Sequence, residues 1–110
     1  PRLVVIRSRA ALAADRYPIG KHAKDQEAFT LHQMTMQPGD VIYSFTDGFA
    51  DQFGGPQGKK FNKKQLRQVL LSIYSLTMVE QRMKLSETFN QWRGDLEQID
   101  DVTITGVKVS

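Results

Sequence analysis

The chain has 110 residues, a net charge of +3 and no cysteine. That length suits one small domain with one modest core, and the absence of thiols excludes disulfides and thiolate metal sites. The basic residues are scattered, with Lys59-Lys60 and Lys63-Lys64 the only doublets. A nucleic-acid-binding face needs a denser basic stripe, so no nucleic-acid partner is expected; nor does any apolar run approach the roughly 18 residues of a membrane span.

Pro1 leads straight into Leu3–Arg7, an apolar, β-branched run expected as a strand. With no methionine and no polar lead-in, such a start is expected of a piece cut from a larger protein. Ala10–Arg16 stays open, because its alanines favour helix and the stretch is too short to decide. Tyr17-Pro18-Ile19-Gly20 is a breaker. Glu27–Met36 alternates weakly and reads as a strand. Gln37-Pro38-Gly39-Asp40 reads as a type II turn with Pro and Gly at its centre. Val41–Thr46 then reads as a buried strand, so that 27–46 is expected to be a hairpin.

Asp51–Lys60 is loop-like, with Gly54, Gly55, Pro56 and Gly58. Asn62 caps an expected helix whose apolar stripe is Leu66, Val69, Leu70, Ile73 and Tyr74. Thr77 opens a second helix, with Glu80 completing a capping box. Met78, Leu85, Phe89 and Trp92 form its expected buried side, and Gly94 its C-cap. Val102–Val109 alternates as a final strand. Helices segregated between strand-rich ends argue for an α+β fold.

Two acidic segments carry the chemical interest. Asp47-Gly48 lies just past the end of one strand, and Asp100-Asp101 just before the start of another. If those strands are antiparallel neighbours, the end of one lies beside the start of the other, and the carboxylates share one rim of the sheet. Clustered carboxylates repel unless a cation sits between them, and hard divalent ions such as Mg²⁺ and Mn²⁺ take such oxygen ligands. Gly48 would let the backbone approach closely. Taken singly, an Asp-Gly after a strand is an ordinary turn signal and an Asp-Asp pair is ordinarily solvated.

The ordered motifs Pro18-Ile19-Gly20, Pro38-Gly39-Asp40, Thr46-Asp47-Gly48, a glycine loop to Phe61, two helices and Asp100-Asp101-Val102-Thr103 resemble a known family. It is the C-terminal half of the bacterial SpoIIE/RsbU branch of metal-dependent serine/threonine protein phosphatases, the type 2C class. The resemblance implies that residues 1–110 are the C-terminal part of one antiparallel β-sandwich flanked by helices. It implies Asp47 and Asp100 as metal ligands, with Gly48 and Asp101 supporting the metal rim, in a two-metal Mn²⁺ or Mg²⁺ centre whose bound water attacks phosphoserine or phosphothreonine without a covalent intermediate. A phosphorylated signalling protein such as an anti-sigma-factor antagonist is the implied partner, and the cytoplasm the implied location.

The family's earlier acidic motif and early-strand aspartate have no counterpart here; Asp15, Asp25 and Asp40 lie in other contexts. The 110 residues alone are therefore expected to be inactive, and to self-associate as a dimer through open strand edges. A non-catalytic, phosphatase-like regulatory or interaction module is the alternative. Lys59 and Lys60 are candidates for substrate binding; otherwise they are solvated. His22 and His32 lack partners at ligand spacing and are not expected to bind metal.

Overall fold

The computed structural model describes residues 2–14 and 35–110. The Pro18-Ile19-Gly20 motif, both histidines and nearly all of the expected 27–36 strand lie outside the described residues. Among the described residues, six strands and two helices follow one another: β1 Arg2–Arg7, β2 Ala10–Ala14, β3 Val41–Phe45, β4 Phe53–Gly54, β5 Lys59–Lys60, α1 Lys63–Ile73, α2 Met78–Arg93 and β6 Ile104–Lys108. The main sheet runs β2-β1-β3-β6, antiparallel throughout, and β4-β5 is a separate two-residue ribbon.

Ala10–Ala14 resolves as strand, not helix. Ser8 and Arg9 take φ of 51° and 68°, the doubly left-handed geometry of a two-residue hairpin turn whose twist matches its strands. Closing the β1–β2 ladder outweighs the helix preference of alanine. Both edges of β3 are taken, one by β1 and the other by β6, while the first strand of the expected 27–46 hairpin lies outside the described residues. The turn itself is as expected: Gly39 sits at φ 91° and the Asp40 N–H donates to the Gln37 carbonyl at 3.0 Å.

Strand β3 alternates buried and half-buried residues. Val41, Tyr43 and Phe45 share one face with their register partners Ile6, Val4 and Arg2. Against that face lie Leu66, Leu70 and Ile73 of α1 and Phe89 of α2. Complete burial of Leu66 and Leu70 contributes about 1.5–3 kcal/mol each. Phe49 meets Phe61 and Phe89 edge-on at 5.2 and 5.1 Å between ring centroids.

Asn62 caps α1 by accepting from the Gln65 N–H, and the Thr77–Glu80 capping box opens α2. The buried stripe of α2 differs from expectation at its first turn. Met78 is exposed and Gln81 is buried. Gln81 tolerates burial because its amide is used in full: Tyr43 Oη donates to its Oε1, and its Nε2 donates to the Tyr74 and Leu76 carbonyls at 3.2 and 3.0 Å. This binds the link between the helices to the central strand. The same burial pushes the Tyr43 phenol pKa up to about 12.

At the start of β3, Arg7 of β1 grips the turn. Its Nε and Nη2 donate to the two Asp40 carboxylate oxygens at 3.0 and 2.7 Å, while the Gln37 N–H adds a third bond at 2.8 Å. The Arg7 guanidinium, helped by that N–H, holds the Asp40 carboxyl below its ordinary range. A carboxyl with a lowered folded pKa stabilises the fold fully above its unfolded value of about 3.9, and the effect fades as pH falls through the folded value. Asp40→Asn should therefore lower the urea midpoint at pH 7, and the gap to the parent protein should close as unfolding is repeated at pH 4, 3 and 2. A gap that stays constant across that series would contradict this role.

Candidate metal centre

The antiparallel register sets Phe45 of β3 opposite Ile104 of β6, so the residues after Phe45 run alongside those before Ile104. Thr46 fastens them together. Its N–H donates to the Thr103 carbonyl at 3.1 Å, and its hydroxyl oxygen accepts from the Thr103 N–H at 3.3 Å. The hydroxyl also reaches the Asp101 carbonyl at 3.4 Å. One residue on, Gly48 presses on the same carbonyl: a Cβ there would lie 2.0 Å from the Asp101 oxygen and 2.9 Å from its carbon. Only glycine permits that approach. The two acidic segments therefore meet at one rim of the sheet, as the strand-end positions suggest.

At this rim the Asp47 side chain is about half exposed, and its Oδ1 accepts from Arg2 Nε at 2.9 Å. A backbone bond from the Asp51 N–H to the Asp47 carbonyl, 2.9 Å long, closes the turn that follows. Asp100 and Asp101 are exposed, and Asp100 Oδ1 accepts from the Asp101 N–H at 2.8 Å. Carboxylate oxygens in this setting are the donor type that Mg²⁺ and Mn²⁺ prefer. Among the described residues, no three His, Cys, Asp or Glu side chains converge. The donor set here suits a hard divalent cation in kind and is partial in number.

Lys59 and Lys60 form β5. Lys60 Nζ lies 3.8 Å from Asp51 Oδ1 and 5.9 Å from the centre of the Phe53 ring. Both lysines line an open cleft of about 340 Å³ together with Asn62, Gln65 and Trp92, and neither Asp47 nor Asp100 is part of its wall. The cleft owes its shape to Trp92. Its indole Nε1 donates to the Gln52 carbonyl at 2.8 Å, and its backbone oxygen accepts from the Gly55 N–H at 2.9 Å. A Cβ on Gly54 would lie 1.9 Å from that oxygen.

The family described as Stage II sporulation protein E (SpoIIE) matches the chain over residues 1–110. The chain belongs to the SpoIIE family. Among solved structures it is similar to the SiaA-PP2C domain of Pseudomonas aeruginosa, at 30% identity and a TM-score of 0.68. That similarity covers 70% of this chain and 31% of the other, so the chain spans about a third of the length of that neighbour. No curated protein matches it. The neighbour agrees with the α+β architecture of the SpoIIE chain: an antiparallel sheet with a helical pair on one face. Within this SpoIIE chain the Arg2–Asp47 pair had no sequence signal, because it depends on a β1–β3 pairing across 45 residues.

Gly48 offers a test of the rim. With backbone atoms as the obstacle, Gly48→Ala should cost about 1–3 kcal/mol, the range of overpacked sites, and should weaken Mn²⁺ binding by forcing the acidic segments apart. Denaturant unfolding and Mn²⁺ titration read the two effects separately. A Gly48→Ala protein with unchanged stability and metal affinity would contradict the close contact.

Proposed function

We propose that these residues supply part of the active site of a metal-dependent phosphatase that hydrolyses phosphoserine or phosphothreonine on a bacterial signalling protein, such as an anti-sigma-factor antagonist. This reading is supported by the contact of Gly48 with Asp101, the sequence neighbours of Asp47 and Asp100, in a chain of the SpoIIE family. Asp47 and Asp100 would hold Mn²⁺ or Mg²⁺, with ligands from elsewhere in the protein completing a two-metal centre. Bound there, such ions provide a hydroxide nucleophile and offset charge on the phosphoryl oxygens. Thr46 keeps the two ligand-bearing segments in register. Gly48 and Asp101 set the depth of the rim, and Lys59 and Lys60 offer cationic contact to an anionic substrate segment beside it.

The alternative, a non-catalytic interaction module on a phosphatase-like fold, needs neither Asp47 nor Asp100 as a metal ligand. In the full-length protein, Asp47→Asn and Asp100→Asn should each lower Mn²⁺-dependent release of phosphate from a phosphoserine peptide by at least about a hundredfold. That estimate takes the upper end of losses seen for groups that merely support ligands. Each variant should keep the parent's circular dichroism. Full activity in both would show that neither carboxylate is a metal ligand, whereas a parent protein that releases no phosphate would support the module reading.

We also propose that the 110-residue piece by itself self-associates as a two-fold dimer. Strands β2 and β6 form the edges of the main sheet among the described residues. Val79, Met83 and Val107 are 70%, 65% and 53% exposed, a drive toward association. Sedimentation should show a species of twice the monomer mass; a well-dispersed monomer at high concentration would overturn this.

A further inference from the structure

Arg2 opens β1 directly opposite Phe45, two residues before Asp47. Its side chain is 12% exposed, whereas that of Asp47 is 48% exposed. The guanidinium thus reaches outward from cover to a carboxylate at the rim, touching it through Nε at 2.9 Å. Arginine cannot shed its charge in a protein, so a permanent cation stands against one of the two carboxylates assigned above to metal binding. A divalent ion on Asp47 would bring two further positive charges beside it. Like charges at such spacing repel, and an ion pair whose carboxylate is half exposed to water is weak enough to be exchanged.

Resting on the metal-site reading, we propose that Arg2 is the built-in counter-ion of Asp47. It neutralises and aims that carboxylate while no metal is bound, competes with the incoming ion, and is displaced when the ion binds. Because Arg2 is the first residue of β1, metal occupancy and the pairing of β1 with the end of β3 are then coupled. Arg2 is a positioning residue in this scheme, acting on the metal through Asp47.

The test uses full-length protein and Mn²⁺ alone, with free Mn²⁺ read by electron paramagnetic resonance so that no turnover is involved. Removing the competitor in Arg2→Gln should tighten Mn²⁺ binding roughly fivefold, the upper range for a part-exposed pair. Arg2→Lys, which keeps the charge, should stay close to the parent protein. Equal or weaker binding in Arg2→Gln would overturn the proposal, since a residue that only orients Asp47 would lose affinity when removed. Asp47→Asn separates the two readings. If it abolishes binding while Arg2→Gln changes nothing, the metal site stands and the counter-ion role falls; if it binds Mn²⁺ like the parent, Asp47 is no ligand and both fall. Should Arg2→Gln fail to fold, the parent protein still decides the matter. Saturating Mg²⁺ should shift the Arg2 Nε–H nuclear magnetic resonance toward that of a solvated guanidinium, and an unmoved signal would overturn the proposal.

Discussion

The arrangement depends on one close approach, that of the Gly48 backbone to the carbonyl of Asp101. With 2.0 Å between a notional Cβ and that oxygen, the position is closed to every side chain. Its consequence is that two segments far apart in the chain, each carrying carboxylates, run side by side at the rim. The contact follows from the β3–β6 register and from Thr46, which bonds to Thr103 through both its backbone and its hydroxyl. Local chemistry at three successive residues, Thr46-Asp47-Gly48, thus supplies the fastening, the charge and the clearance.

Strand β1 carries an arginine at each end, and each holds an aspartate flanking the central strand β3. The two pairs differ in kind. Arg7 forks onto a buried Asp40 through two nitrogens, with a backbone N–H as third partner, a geometry that fixes a turn and resists exchange. Arg2 touches a half-exposed Asp47 through Nε at the rim. One end of the sheet is thereby set as structure, while the pair at the other end stands at the more open rim.

Much of this was legible in the sequence wherever the signal is local. The Pro38-Gly39 turn, the Asn62 cap, the Thr77–Glu80 capping box and the Leu66–Ile73 stripe each declare themselves within a few residues, and each is present. What depends on distant pairing was not legible. That β3 pairs with β1 and β6 could not be read locally, because sheet order is decided by edges that only the assembled fold reveals. Ala10–Ala14 turned to strand because a tight hairpin overrode alanine's helix preference. Gln81 entered the core stripe in place of Met78 since hydrogen bonding can make an amide fit where polarity alone argues against it. At the rim, the strand-end positions of Asp47 and Asp100 were readable, whereas Arg2 was not, its partner lying across an unforeseen strand pair.

In the proposed phosphatase, Asp47 and Asp100 serve a common metal centre at this rim. The most direct test is a crystal structure of the full-length protein with Mn²⁺, located by its anomalous scattering. Manganese is expected at the rim with oxygens of both Asp47 and Asp100 at ordinary ligand distances, about 2.0–2.6 Å, from the one centre. Manganese bound elsewhere, or the two carboxylates turned apart by more than about 8 Å, too far for ions with such bonds to bridge, would contradict it.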